Sequence, residues 1–408
     1  MSPEFCLDKT FWRAFTHTHW NRRPTVIRAP FPTPIVTPAE VFRAVVAARR
    51  RLSEPTDDLE LLIGGRRIVM DRDRWFPRAQ DVSMERYQAR LKRAGIAGQL
   101  AINVTDFQDE LGWTFYNRLR QFLGGLYEIA GVPPRAEVDL FLGDYRSTPM
   151  GVHRDEADVF CLVVQGKKRF RLWPAEAIRS SSPRYGPAPY TNHVKRSLCL
   201  EGGPGDIFYW PSSYWHVGES DGQAGSSLSV GLYYGYSLTR AMTENLGEWS
   251  RETWGDGRDP VASLPFSKLQ VPAELASIAQ RAEGRPGRLT KRLMRFWMGR
   301  ITGYGFGRIP RARGRAALQM GRRVCANPIS PFLYWKINGD LVISANGRSI
   351  VVSYDREIVR MLGRVSRGSV CEVAGLLKTT GRTSQRMSRK PAHKTLQFLL
   401  DERALEYA

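Results

Sequence analysis

The stretch GVHRDEADVFCLVVQGKKRFRLWP, residues 151–174, places chemically capable side chains around two apolar runs. His153 and Asp155 stand two residues apart, just before DVFCLVVQ. On a strand, residues i and i+2 point to the same face, so this imidazole and carboxylate can share one metal ion. Far downstream, GDIFYWPSSYWHVGES offers His216 after a turn, an aromatic run and a proline. A bare His-x-Asp is a weak signal; the strand, turn and second histidine strengthen it. Two imidazoles and one carboxylate on one face leave three coordination positions open, the ligand set of non-haem Fe(II) oxygenases.

Lys168 poses a separate question. The runs DVFCLVVQ and KRFRLWP read as a hairpin. In the second run Lys168, Phe170 and Leu172 alternate onto one face, and Arg169, Arg171 and Trp173 onto the other. If Phe170 and Leu172 face a core, Lys168 faces it too, and a buried ammonium without a partner is expensive. DVFCLVVQ carries no acid past Asp158 to neutralise it. An anionic ligand would, and the far carboxylate of 2-oxoglutarate is one whose other end chelates iron. A slip of one residue would hand this role to Lys167. The alternative for either lysine is a side chain that snorkels to solvent.

These side chains need a frame. The spacing of Phe107, Leu111, Phe115, Leu119, Leu123 and Leu126 predicts a helix that stops at Gly131 before two prolines. Thr37 with Glu40 predicts a capped helix start. From Glu137 to about Tyr236, short runs (EVDLFLGDY, DVFCLVVQ, KRFRLWP, DIFYWPS, SLSVGLYYGYS) alternate with turn residues, the texture of a jelly roll. The helical pattern returns after Leu238. Near the end, LVISANGRSIVVSY predicts a hairpin about Asn346-Gly347, with helices expected over DREIVRMLGRV, VCEVAGLLK and TLQFLLDERALEY. The class expected is α+β: a double-stranded β-helix (jelly-roll or cupin) core in residues 1–237, a basic helical linker or dimerisation region in 238–328, and a winged-helix-like domain in 329–408.

Composition bounds the setting. The 408 residues suit two or three domains. No apolar run is long enough to span a membrane, and the start lacks a secretory pattern. Five scattered cysteines without a CxxC fit a reducing cytoplasm and exclude a zinc ribbon. A formal net charge of +21 points to an anionic partner. Residues 281–323 hold thirteen Lys or Arg against one acid, Glu283, a stretch where nucleic acid could dock.

The stretches HRDEADVFCLVVQGKKRFRLWP, PGDIFYWPSSYWHVGES and SLSVGLYYG together resemble the JmjC-type cupin oxygenases, most nearly the ribosomal-oxygenase branch. The resemblance implies that His153, Asp155 and His216 bind Fe(II), that Lys168 pairs with the 2-oxoglutarate carboxylate, and that Ser229 lies near the cosubstrate. It implies hydroxylation of a C–H bond coupled to oxidative decarboxylation of 2-oxoglutarate, with O2 consumed. Asp139 stands where some members carry Asn, Phe141 where Tyr is frequent, and Thr148 is the nearest candidate for a cosubstrate-binding Thr. Tyr145 and Arg146 could meet substrate, whereas Phe208, Tyr209, Trp210, Tyr214 and Trp215 read as core. The expected substrate is a polypeptide, either a ribosomal protein or a ribosomally made precursor peptide with an acidic leader. The helical middle could form a homodimer. The competing reading is a non-catalytic cupin and winged-helix protein that binds nucleic acid.

Overall fold

Apolar alternation decides how the first unit is layered. In the computed structural model, β7 (Asp158–Gln165) sends Phe160, Leu162 and Val164 to one side and Val159, Cys161 and Val163 to the other. Both sets are buried, which is why the run reads as continuously apolar. The structure describes residues 4–51, 59–68, 72–96, 99–178, 184–186, 190–235, 237, 240, 243, 247, 288–311, 317–379 and 389–408. Most of 238–287, and parts of the basic run 281–323, lie outside the described residues. The chain divides into two units, Met1–Gly235 with Tyr304–Arg313, and Tyr236–Gly303 with Gly314–Ala408.

The first unit opens with α1 (Lys9–Thr18), β1 (Thr25–Ile27), α2 (Pro38–Arg51), β2 (Leu59–Ile63), β3 (Arg66–Arg67), α3 (Arg72–Trp75), α4 (Met84–Arg93), β4 (Leu100–Val104) and α5 (Gln108–Ala130). It continues with β5 (Arg135–Gly143), β6 (Val152–His153), β7, β8 (Lys168–Pro174), β9 (Arg184–Gly186), β10 (Leu198–Gly202), β11 (Ile207–Trp210), β12 (Tyr214–Ser220) and β13 (Gly225–Tyr233). Two antiparallel sheets result, ordered β1-β11-β7-β13-β5-β4-β2-β3 and β10-β8-β12-β6-β9. The jelly-roll expectation holds.

The expected hairpin does not. β7 and β8 belong to different sheets, and the chain crosses between them at Gly166. Its φ of +77° suits glycine, and a Cβ there would lie 2.9 Å from the Ala224 carbonyl oxygen. The neighbours of β8 are β10 and β12, so Lys168 stands opposite Gly202 and Ser220 rather than any residue of β7. Alternation still turns it inward: Lys168 is 3% exposed, with Phe170 and Leu172 buried on the same face.

The outer face of the large sheet is covered by helices. Val138, Leu140 and Leu142 of β5 join Phe115, Leu119, Phe122 and Leu126 of α5 in one core. The predicted helix forms, but Gly112 breaks its first turn with φ 79°, and Gly131 ends it. The Thr37–Glu40 box forms ahead of α2: the Thr37 N–H donates to Glu40 at 2.8 Å, and the Glu40 N–H donates to the Thr37 hydroxyl at 3.3 Å.

The second unit contains α6 (Arg288–Thr302), β14 (Arg323–Ala326), β15 (Phe332–Ile337), β16 (Asp340–Ala345), β17 (Arg348–Ser353), α7 (Arg356–Ser366), β18 (Cys371–Glu372), α8 (Val373–Thr379), α9 (Arg389–Asp401) and β19 (Leu405–Tyr407). Asn346 and Gly347 take φ of 47° and 76°, as the predicted two-residue hairpin requires. β15 precedes that hairpin, making a three-stranded meander the sequence reading missed. Conversely, the last predicted helix stops at Asp401, and its expected tail LEY is β19, paired with β14. Among the described residues no helix is long and apolar enough to cross a membrane.

Gly125 on α5 makes room for the fully buried Trp12 of α1: an added Cβ would lie 2.2 Å from Trp12 Cδ1. Alanine ordinarily gains about 1 kcal/mol over glycine inside a helix. Here overpacking outweighs that gain, so Gly125→Ala is expected to lower stability by about 1–3 kcal/mol. Chemical denaturation reads this directly; an unchanged or raised midpoint would mean that the α1–α5 contact is loose.

Candidate metal centre

His153 ends β6, and His216 stands directly opposite it on β12. This cross-strand pairing brings the imidazoles together, with ring centroids 4.2 Å apart and planes at 57°. Asp155 lies past the end of β6, so alternation along one strand is not what aims it. Beyond the strand its carboxylate still faces both rings. Asp155 Oδ1 is 3.7 Å from His153 Nε2, and Oδ2 is 3.5 Å from His216 Nε2. One ligand atom from each residue falls within 4.8 Å of the others. Ligands about 2.1 Å from one ion, at right angles, stand roughly 3 Å apart. The three therefore fit a divalent metal with small adjustments. Among the described residues no other cluster of His, Cys, Asp or Glu is so placed.

The imidazoles are prepared for ligation. His153 Nδ1 donates to the Gly151 carbonyl at 3.0 Å. A carbonyl only accepts, so the proton sits on Nδ1 and Nε2 keeps its lone pair. Burial, followed by the neighbouring His153, holds the His216 pKa well below the usual imidazole value. Its neutral, ligating form is thus favoured.

The triad opens on a cavity between the sheets that is also lined by Glu137, Asp139, Tyr145, Thr148, Lys168, Phe170, Trp210, Ser227, Ser229 and Tyr233. Lys168 faces this cavity, whereas Lys167 is exposed on the surface. Lys168 Nζ donates to the Tyr145 hydroxyl and lies 4.4 Å from the centre of its ring. Among the described residues no carboxylate forms an ion pair with it. Thr148 Oγ1 and Trp210 Nε1 are buried on the cavity wall without a partner. Each such orphan costs about 1–3 kcal/mol until a ligand meets it. A cation with spare hydroxyl and N–H groups suits a small dicarboxylate.

Trp210 is buried in a core cluster, as read, and its ring also borders the cavity, its centre 4.9 Å from that of His216. Tyr145 points inward while Arg146 is exposed. Glu137 and Asp139 share the cavity face of β5, a pairing that the alternation in EVDLFLGDY already contained. Burial first, then Glu137, Asp106 and Asp155, raises the Asp139 pKa well above the carboxylate range. Glu137 accepts a hydrogen bond from the Tyr233 hydroxyl.

Residues 127–239 match the family model of the JmjC domain. The chain carries a JmjC domain. Its fold and donor set are those of a 2-oxoglutarate-dependent dioxygenase, and the triad fits the Fe(II) such domains use. An X-ray structure of Escherichia coli ycfD is 16% identical with TM-score 0.51, covering 100% of this chain and 100% of that one. A crystal structure of Escherichia coli ribosomal oxygenase YcfD is 15% identical, covers 100% of both chains and has TM-score 0.49. A third, of YcfD in complex with cobalt and 2-oxoglutarate, is 16% identical, covers 97% of this chain and 98% of that one, and has TM-score 0.47. At 16% identity the first of these supports the fold of the JmjC domain. No curated protein matches the chain in sequence.

Replacing a ligand should be costlier than disturbing the groups that orient one, which typically loses ten- to a hundredfold in metal affinity. His216→Ala is expected to weaken Co(II) or anaerobic Fe(II) binding by more than about a hundredfold, read by calorimetric titration. Undiminished affinity would place the metal elsewhere.

Proposed function

We propose that this dioxygenase hydroxylates a side chain of a protein or peptide substrate. One observation carries the reading: the His153–Asp155–His216 cluster and the unpaired Lys168 ammonium share a single cavity. His153, Asp155 and His216 would hold Fe(II) on one face, leaving positions for 2-oxoglutarate and O2. When bound there, iron supplies O2 activation coupled to decarboxylation of 2-oxoglutarate to succinate and CO2, with one oxygen atom left for the substrate.

The chain's own residues do the rest. Lys168 would anchor the far carboxylate, with the Tyr145 and Thr148 hydroxyls in support and Ser229 on the adjoining wall. Phe170 and Trp210 keep the inner cavity apolar and exclude water. Burial and the neighbouring carboxylates raise the Asp139 pKa, which favours its uncharged form beside an arriving dianion.

A polypeptide substrate is favoured by the second unit and the +21 net charge, which exceed what a small-molecule oxygenase needs. Within that class both a ribosomal protein and an encoded precursor peptide remain in play, the second unit acting as a winged-helix-like module. The basic run 281–323 would serve anionic surfaces such as ribosomal RNA. The five unpaired cysteines agree with a cytoplasmic setting. The reading as a non-catalytic nucleic-acid binder has against it the intact donor set and the inward lysine.

The test is succinate release from 2-oxoglutarate under Fe(II) and O2, followed by mass spectrometry of candidate peptides and ribosomal proteins for a gain of one oxygen. Lys168→Ala is expected to raise KM for 2-oxoglutarate about ten- to a hundredfold, the worth of a charged hydrogen bond. Wild-type protein that takes up no iron and releases no succinate would sink the oxygenase reading.

A further inference from the structure

The second unit holds a groove of about 540 Å³ that the oxygenase chemistry does not use. Its floor is Ala374 and Leu377 of α8 together with Met320, which precedes β14. The Ala374 N–H donates to the Met320 carbonyl at 3.2 Å, and the Val373 N–H donates to the Arg322 carbonyl at 3.0 Å. The Leu318 N–H donates to Gln397 Oε1 of α9 at 2.8 Å, so the floor is tied to both helices. Met320 is nevertheless 49% exposed, a large apolar side chain left to solvent.

The rim has the opposite character. Lys378 comes from α8, and Lys390, His393 and Lys394 come from α9. Spacings of three and four residues put the α9 set on one helical face, while Ala392, Leu396 and Leu399 of the same helix are buried in the core. All three lysines are exposed, and among the described residues none has an ion pair. An apolar floor is thus ringed by uncompensated cations.

A nucleic acid would use the lysines but not the floor: among the described residues no aromatic side chain lines the groove to stack a base, and Met and Leu give a phosphate nothing. A polypeptide with apolar residues on one face and carboxylates beside them would use both features. The volume lies within the range of built binding pockets. We propose that this groove docks an acidic, amphipathic segment of a partner polypeptide. No residue of the metal centre takes part, so docking and turnover can fail independently.

The experiment is fluorescence anisotropy on the full chain, with a labelled helical peptide carrying Leu on one face and Glu on the other. Binding is expected, weakening with salt and falling about tenfold or more in the variant Lys390→Glu/Lys394→Glu. Both positions are exposed, and circular dichroism checks that the variant folds. A peptide with Lys in place of Glu should bind the reversed variant and not the wild type. Met320→Glu should also weaken binding of the acidic peptide. Equal affinity for wild type and charge-reversed variant would overturn the proposal, as would equal affinity for a Leu-free acidic peptide. So would an RNA oligonucleotide that binds through these lysines when the peptide does not.

Discussion

An ammonium without a counter-charge, enclosed between two sheets, is the constraint on which the first unit turns. Holding an unpaired charge at Lys168 costs several kcal/mol in an interior of low polarity. The Tyr145 hydroxyl and ring offset part of this. What remains is a standing demand for an anion. The chain keeps Lys168 there because Phe170 and Leu172 share its face. Slipping β8 by one residue would turn Arg169 and Arg171 into the gap and expel both apolar side chains.

The same register places the metal donors. Leu172 pairs with His216, and His216 pairs with His153. The imidazoles are therefore level with a point four residues along β8 from Lys168, roughly 13 Å of strand. A lysine stem reaches in from one end and an imidazole from the other, and the proposed five-carbon dicarboxylate would lie between them. One register on one strand thus sets both ends of the cavity, and the β12 pairing transmits it to β6. The helices α1 and α5 matter at one remove: they cover the outer face of the large sheet, so its inner face can be spent on a cavity rather than on a closed core.

Much of this was legible in the sequence, for identifiable reasons. Alternation in KRFRLWP turned Lys168 inward, and a 3.6-residue repeat marked α5; both are local signals. Asn346-Gly347 announced its hairpin because only a few residues tolerate that backbone. What stayed hidden was the choice of partner strand. Alternation says which face a side chain takes, not which strand lies beside it, so β7 and β8 read as neighbours although Gly166 sends them to different sheets. Asp155 was placed with His153 on a correct spacing but for a reason that fails, since the strand ends before it. Trp210 read as core and is core, but its second part, as a wall of the cavity, stayed hidden because a cavity wall and a core demand the same apolar side chains. The cavity face of β5 was visible in EVDLFLGDY, but its acids acquire meaning only once β13 and the triad lie beside them.

Those acids explain how the cavity admits its ligands. Glu137, Asp139 and Asp155 face the same space as Lys168. With all three ionised the wall would hold two net negative charges, a poor receptor for a dicarboxylate. Burial and the neighbouring carboxylates raise the Asp139 pKa and so favour its neutral form, and Glu137 is engaged by Arg135 at 2.7 Å and by Tyr233. Asp155 is left as the charge aimed at the imidazoles. At an effective dielectric constant near 20, two unit charges about 4 Å apart interact by roughly 4 kcal/mol. A divalent cation held by His153, Asp155 and His216 would offset that repulsion of an incoming carboxylate. On the proposed reading, charge would favour metal before dicarboxylate, and Lys168 would meet the carboxylate at the other end of the ligand.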